Sequence, residues 1–226
     1  MPNDKTQEHM QVISTLGAKQ QNMTENEARI LISKVTDLFR IVLIEAGHDS
    51  RQITRLTTKF RDAGRRSAPW KPTSSRVPGR PQDGADGNRI LRWHLPQEHK
   101  FHASEFDATL VEVKYYFQAL SMLNAPTINY GEISTNFQWL IEHNIAPGEY
   151  VDPIQQINID LNEVVNDART IQSGHFIPLD RGGRHIPDNA FLMLARSNQL
   201  QGNLTLDELL ALMEEIVAKH KAKRGL

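Results

Sequence analysis

The chain has 226 residues, of which 39% are hydrophobic and 23% are charged, and its formal net charge is −1. This length is enough for one large domain or two small ones, and the composition is typical of a soluble globular protein. The absence of cysteine excludes disulfides, thiolate nucleophiles, iron–sulfur clusters and cysteine-built zinc sites. There is no apolar run long enough for a transmembrane helix and no recognisable secretory signal, so we expect a cytoplasmic protein without a membrane partner.

The nearly neutral total charge hides one basic block. Residues 51–100 contain 12 Lys and Arg residues against 4 Asp and Glu residues, a net charge of +8. The rest of the chain contains 14 basic and 23 acidic residues, a net charge of −9. Binding to nucleic acid requires a basic patch rather than a basic protein, so the block favours a DNA-binding surface. A solvated surface segment is the alternative interpretation.

Two helices are predicted in the first third of the chain. Residues 24–47 carry apolar side chains at helical spacing, and Thr24 with Glu27 forms a capping box at their start. After a break at 47–50, a basic helix is predicted from Arg51 to Asp62, ending at Gly64. The pair fits either a DNA-reading helix-turn-helix or a plain helical hairpin, which is the commoner arrangement.

Residues 64–88 form the most irregular stretch. They include four Gly and four Pro in 25 positions, so no regular element is expected to run through them. Several arginines lie here around Trp70, and an arginine-rich arm beside an aromatic residue suits the minor groove or the DNA backbone. The alternative is a flexible surface loop. The candidate DNA-binding residues of this stretch are Arg65, Arg66, Arg76 and Arg80.

The next part of the chain is predicted to be mainly helical. A short strand is expected over 90–95, and a helix is expected from Ser104, capped by Ser104 and Asp107. Further helices are predicted over about 132–144 and over 157–168. A last helix, over 206–222, starts at a capping box and has an apolar face that suits the core or a dimer interface. The capping box of that helix is formed by Thr205 and Glu208.

Residues 173–205 carry the chemical signals. A β-favouring stretch is followed by a loop with Pro and Gly-Gly, by an apolar run over 190–194 and by a polar segment from Arg196 that suits a helix. The expected order is therefore strand, loop, strand and helix. The three junctions of this unit hold His175, Asn189 and Asn198.

This segment resembles the HNH nuclease motif, whose fold is the ββα-metal arrangement. The resemblance rests on His-x-x-Pro at 175–178, Arg-Gly-Gly at 181–183, Asp-Asn at 188–189 and Asn-x-x-x-Gly at 198–202. It implies an α+β chain with an HNH nuclease domain over 171–226. The preceding residues, 1–170, would form a helical DNA-recognition and dimerisation region.

The resemblance also implies a role for each junction residue. His175 corresponds to the general base that takes a proton from the attacking water. Asn189 corresponds to the residue that orients the His-bearing loop through backbone hydrogen bonds, and Asn198 corresponds to a metal ligand. A neutral imidazole can accept a proton near pH 7, and an amide oxygen suits Mg²⁺. The implied cofactor is Mg²⁺, with Mn²⁺ as a substitute, and phosphate contacts are expected from Arg181, Arg184 and Arg196.

Two departures from the HNH pattern affect the metal. Many HNH enzymes have Asp, Glu or His directly before the base as a second metal ligand, whereas this chain has Gly174. The Gly-His pair resembles DRGH-type nucleases, in which one Asn and several waters hold the metal. A distant carboxylate, Asp160 or Asp167, is the alternative second ligand. Leu194 and Ser197 stand where zinc-stapled members carry Cys, so no structural zinc is expected.

Other histidines compete for these roles. His185 is a rival base, but its position inside the loop favours a phosphate-contacting or structural histidine. Three histidines lie close together in the sequence without the ligand spacing of a helix, so a cation site there is not favoured. These are His94, His99 and His102.

The implied activity is a metal-dependent DNA endonuclease that leaves 5′-phosphate and 3′-hydroxyl ends. An HNH module needs far fewer residues than this chain has, which favours a sequence-specific enzyme of restriction type. A palindromic target in double-stranded DNA would imply a homodimer. The alternatives are a phage or mobile-element nicking HNH endonuclease and a DNA-binding protein with an inactive HNH fold.

Overall fold

A computed structural model describes residues 4–67 and 89–225 of the chain. These residues form a mainly helical α+β structure with eight α-helices and two antiparallel sheets of two strands each. The helices are α1 (Asp4–Gly17), α2 (Glu25–Glu45), α3 (Ser50–Gly64), α4 (Glu105–Ala119), α5 (Gly131–Ile141), α6 (Leu161–Asn166), α7 (Ala195–Gln201) and α8 (Leu206–Arg224). The strands are β1 (Arg66–Ser67), β2 (Ile90–Leu91), β3 (Ile171–His175) and β4 (Ala190–Leu194).

Helix α4 forms the centre of the structure. It begins at the predicted N-cap, Ser104, whose hydroxyl accepts a hydrogen bond from the Asp107 amide. Every side chain from 108 to 119 is buried, the polar ones included. Neighbours therefore surround the helix on all sides, and its polar side chains, such as Glu112 and Gln118, must find partners in the interior.

Helices α2 and α3 pack on α4 through apolar and aromatic side chains. The rings of Phe39 and Phe60 lie edge-on to the ring of Tyr116, at centroid distances of 5.0 and 5.2 Å. The predicted capping box at Thr24 is present, and α3 ends at Gly64, as predicted from the sequence. Helix α1 was not predicted, because its 14 residues contain few apolar side chains.

Three elements differ from the sequence prediction. Residues 64–88 were expected to hold no regular element, but Arg66–Ser67 pairs with Ile90–Leu91. The strand expected over 90–95 stops at Leu91, where a 3-10 turn follows. The helix expected over 157–168 is shorter, because the Asp160 side chain caps its start at Leu161.

The predicted strand–loop–strand–helix order is confirmed near the C-terminus. Strands β3 and β4 pair antiparallel, with Ile171 opposite Leu194 and His175 opposite Ala190, and α7 follows directly. Ile171, Ala190 and Leu192 belong to the same apolar core as the helices α2 to α4. The hairpin is thus packed onto the helical part of the structure.

Helix α8 extends from this hairpin unit with little support from the other described residues. It begins at the predicted capping box, and Leu209 is its one buried residue among those described. The apolar face of this helix was expected to suit either the core or a dimer interface. In the described structure the face does not pack into the core.

Among the helices of residues 4–67 and 89–225, none combines the length and the apolar character needed to cross a membrane.

Candidate functional site

The loop between β3 and β4 depends on two adjacent glycines. Gly182 has a φ of +85°, a left-handed conformation that glycine adopts at least cost. A Cβ atom at Gly183 would lie 1.9 Å from the carbonyl oxygen of Ile177, which no side chain can tolerate. The carbonyl of Pro178 accepts hydrogen bonds from the amides of Arg181 and Gly183. The two glycines of the Arg-Gly-Gly run are therefore explained by the shape of the loop itself.

The side chain of Asn189 ties the two sides of this loop together. Its Oδ1 accepts a hydrogen bond from the Ile177 amide at 2.8 Å. Its Nδ2 donates to the carbonyl oxygens of Ile177, at 3.0 Å, and Arg184, at 2.8 Å. The Asn189 side chain is buried, and its three bonds hold the backbone that follows His175.

Replacing Asn189 with alanine is expected to lower the free energy of unfolding by about 1–3 kcal/mol, because three backbone hydrogen bonds of the loop lose their side-chain partner. Asn189→Asp should be similarly destabilising, since a carboxylate cannot donate to the carbonyls of Ile177 and Arg184. Urea unfolding measures the loss, and hydrogen exchange of the Ile177 amide reports the loop. Gln199→Ala, at an exposed position of α7, is the control. An unchanged Ile177 exchange rate in both Asn189 variants would contradict the assigned bonds.

His175 lies at the end of β3 and is bonded to a second histidine. Its Nε2 atom is 2.9 Å from Nδ1 of His185, and Nε2 of His185 is 2.7 Å from the carbonyl oxygen of Gly64. Burial and the nearby Arg92 charge lower the pKa of His175 to about 3, and they hold that of His185 well below its usual range. His185 is fully buried, which makes it a structural histidine rather than a phosphate contact in this arrangement.

Arg92 was not identified as a candidate from the sequence, although its charge lowers the pKa of both histidines. Its buried guanidinium donates to three backbone carbonyls, those of Ala63, Gly64 and Phe101. It thereby fixes the end of α3 against the segment that follows β2. Burial lowers the pKa of Arg92 to about 10, so the side chain remains charged at neutral pH.

Asn198 lies on α7, next to β3. Its Nδ2 donates to Oε1 of Gln172 at 2.6 Å, and Gln201, one turn later, donates to the backbone carbonyl of His175 at 2.8 Å. Buried Asp152 accepts hydrogen bonds from the Leu194 amide and the Ser197 hydroxyl, both at 2.8 Å, which fixes the start of α7. Neither Gln201 nor Asp152 was identified from the sequence, since their partners are backbone groups or lie in distant segments.

The position before His175 carries no ligating side chain, and Met193 occupies the space beside it. A Cβ atom at Gly174 would lie 2.3 Å from Sδ of Met193, so this side of the strand is already filled. The two carboxylates proposed as distant ligands have other partners: Asp160 accepts from Asn124 and the Asn162 amide, and Asp167 pairs with Arg169. No group of three or more His, Asp or Glu residues suited to a metal occurs in residues 4–67 and 89–225.

Some of the candidate DNA-binding arginines are exposed, some lie beside a carboxylate, and some lie outside the described residues. Arg184 and Arg196 are exposed, and Arg181 forms an ion pair with Glu208. Arg65 instead pairs with the buried carboxylate of Glu112. Burial raises the pKa of this carboxylate, although Arg65 acts in the opposite direction. Arg66 lies 3.7 Å from the carboxylate of Asp62. Arg76 and Arg80 lie outside the described residues, as does Trp70.

The three histidines near residue 100 form no metal-binding group in the described part of the chain. His99 uses its Nδ1 to accept a hydrogen bond from the amide of Phe101, at 3.1 Å. His99 and His102 line a cavity of about 560 Å³, and the β3–β4 loop forms its other wall through Gly183 and Arg184.

Comparison with known proteins gives little additional information. No family profile matches the sequence, and no curated protein is significantly similar to it. One solved structure that the chain resembles is a crystal structure of a type II restriction endonuclease, with 18% sequence identity and a TM-score of 0.44. The alignment covers 59% of this chain and 62% of the other, so it spans less than two thirds of that enzyme. A likeness this distant assigns neither a fold nor an activity to the chain.

Proposed function

We propose that the chain is a metal-dependent DNA endonuclease of the HNH type, with the ββα-metal unit formed by β3, β4 and α7. The observation that carries the proposal is the placement of three residues in this unit. His175 is the last residue of β3, and Asn189 forms a hydrogen bond with the backbone of Ile177 in the loop that follows. Asn198 lies on α7 and donates a hydrogen bond to a side chain of β3. Residues 171–226 would then be the nuclease part, and the helical region 1–170 would select the target and support assembly.

The chemistry follows from the position of His175. Its neutral imidazole takes a proton from a water molecule, whose oxygen forms a bond to the phosphorus of a DNA phosphodiester. The bond between phosphorus and the 3′ oxygen breaks, and the leaving oxygen takes a proton from solvent. The products are a 5′-phosphate and a 3′-hydroxyl end. Asn189 contributes by holding the loop that presents His175.

The donors on the chain suit a weakly held magnesium ion. Asn198 offers an amide oxygen, a hard ligand of the kind Mg²⁺ accepts, and Mg²⁺ retains several waters when few protein ligands are present. Gly174 offers no side-chain ligand, so Asn198 would be the main protein contact. When bound, the ion would neutralise negative charge on the phosphate and the leaving oxygen.

Exposed arginines at the hairpin are proposed to contact DNA phosphates. Replacing Arg184 and Arg196 with glutamine should reduce the slope of log affinity against log salt by about 0.9 for each lost contact. Arg65 is less suitable for this test, because its removal would leave buried Glu112 without its ion-pair partner. Lys223→Gln with Arg224→Gln, at exposed positions in the last turn of α8, is the control pair. Equal salt slopes for the hairpin variant and the wild type would rule out both contacts.

Helix α8 is proposed to pair with the same helix of a second copy, giving the homodimer that a palindromic target requires. Its apolar face includes five side chains between 43% and 50% exposed: Leu210, Leu212, Met213, Ile216 and Val217. The first half of the helix is acidic and the second half is basic. An antiparallel pair would place Glu208 near Lys219 of the partner subunit, and Asp207 near Lys221 of the partner subunit.

Leu212→Glu with Ile216→Glu should weaken this association by about 100-fold or more, because four carboxylates would face one another in an apolar contact. Sedimentation equilibrium measures the change. Ala211→Glu with Ala218→Glu adds the same charge on the opposite side of α8 and should leave association unchanged. A monomeric wild-type protein, or equal effects of the two pairs, would contradict the α8 interface.

Digestion of phage DNA with Mg²⁺ or Mn²⁺ tests the proposed function. Discrete bands are expected for a sequence-specific restriction-type enzyme, and a smear would indicate a weakly selective nuclease. Nicked circles from plasmid DNA would favour the nicking alternative. DNA binding without cleavage would favour an inactive HNH fold, a second candidate suggested by the Met193 side chain that fills the ligand position at Gly174.

A further inference from the structure

The direction of the hydrogen bond between the two site histidines can be deduced. Nε2 of His185 lies 2.7 Å from the carbonyl oxygen of Gly64, and a carbonyl oxygen can only accept. Nε2 of His185 must therefore carry a proton. Burial lowers the pKa of both rings, so each is neutral at pH 7 and carries a single proton. Nδ1 of His185 is consequently unprotonated and accepts a hydrogen bond.

The proton position on the other ring follows from this. The partner of that acceptor is Nε2 of His175, at 2.9 Å, which must be the donor. Nδ1 of His175 is then the unprotonated nitrogen, and its lone pair has no partner among residues 4–67 and 89–225. The side chain is partly exposed, so water can approach it. Among these ring nitrogens, Nδ1 of His175 can take up a proton without breaking a described hydrogen bond.

We propose that His185 is a positioning residue, which holds His175 with Nδ1 as the basic nitrogen and is itself anchored on the carbonyl of Gly64. The inference rests on the proposed function, in which His175 accepts the proton of the attacking water. The logic is that of a catalytic base oriented by a third group, with a neutral histidine in the place of the usual carboxylate.

The anchor is rigid for two reasons. A Cβ atom at Gly64 would lie 2.7 Å from Cβ of Glu112, so glycine lets the end of α3 approach α4 closely. The same carbonyl also accepts from Nε of Arg92 at 3.0 Å, which occupies its second lone pair.

Nuclear magnetic resonance of the wild-type protein with ¹⁵N-labelled histidine tests this arrangement without metal, DNA or cleavage. At pH 7 we expect protons on Nε2 of both rings and a scalar coupling across the hydrogen bond from Nε2 of His175 to Nδ1 of His185. A proton on Nδ1 of His185, or a missing coupling, would overturn the inference.

Two variants of His185 separate positioning from simple packing. In Asn, Oδ1 is two bonds from Cβ, as Nδ1 is in His, so His185→Asn keeps an acceptor for His175. In Gln, the amide group is one bond further from Cβ, so its Nε2 is three bonds from Cβ, as Nε2 is in His. His185→Gln therefore keeps a donor for the carbonyl of Gly64 but loses the acceptor for His175. We expect kcat to fall about tenfold in His185→Gln, less than on removal of the base itself, with an unchanged KM. His185→Asn should stay within about threefold of the wild type.

Equal losses of kcat in the two variants would reduce His185 to a packing residue and overturn the proposal. A wild-type protein that cuts no DNA would contradict the proposed function instead. The resonance experiment still decides the ring protons in that case, because it does not depend on activity.

Discussion

Replacing His175 with alanine is expected to slow DNA cleavage at least about 10²-fold, the scale of a lost general base, while DNA binding is retained. The side chain lies at the end of β3, partly exposed, with its backbone held by Gln201 and the following loop held by Asn189. Removing the imidazole leaves these bonds in place, so the loop should keep its shape. Single-turnover cleavage at saturating enzyme isolates the chemical step from binding.

A matched variant controls for the loss of a histidine in general. His48 lies partly exposed between α2 and α3, and His48→Ala should cleave DNA at the wild-type rate. Unfolding curves for both variants establish that the comparison is made between folded proteins. A His175→Ala protein with wild-type activity would remove this residue from the reaction and with it the proposed site.

The elements that were predicted correctly are those specified by local sequence. The capping boxes at Thr24 and Thr205 start α2 and α8, and the apolar run over 190–194 forms β4. Each depends on residues within a few positions of one another. The burial of every side chain from 108 to 119 of α4 was not predictable in this way, because its polar side chains are satisfied from far along the chain. Lys114, for example, donates to the carbonyl of Pro187 at 2.7 Å.

In the candidate site, too, local features were predicted from the sequence, whereas contacts between distant residues were not. The spacing of His175, Asn189 and Asn198 in a β–β–α order was evident from the sequence, and the structure brings all three to one hairpin and its helix. The link from His185 to Gly64 joins residues 121 positions apart, and no local pattern indicates it. The filling of the space at Gly174 by Met193 depends on strand register, which the sequence alone leaves open.

Removal of divalent cations with EDTA is expected to reduce DNA cleavage to background, and Mn²⁺ is expected to outperform Mg²⁺. The physical reason is the small number of protein ligands: Asn198 offers one amide oxygen, and the space at Gly174 is filled. A site that relies on water for most of its ligands binds weakly, and Mn²⁺ tolerates such a site better than Mg²⁺ does. Cleavage measured across a range of Mg²⁺ and Mn²⁺ concentrations gives the half-maximal value for each ion.

Asn198→Ala should raise the half-maximal metal concentration by about tenfold or more, the scale on which altered metal-site contacts reduce affinity. Asn203→Ala, at an exposed position just beyond α7, is the control and should match the wild type. Asn198 also donates to Gln172, so a purely structural role is the competing explanation. The two roles differ at high metal concentration, because excess Mn²⁺ restores the rate when only metal affinity is lost. A rate deficit that excess metal does not change would indicate the structural role, and robust cleavage in EDTA would end the metal-dependent mechanism altogether.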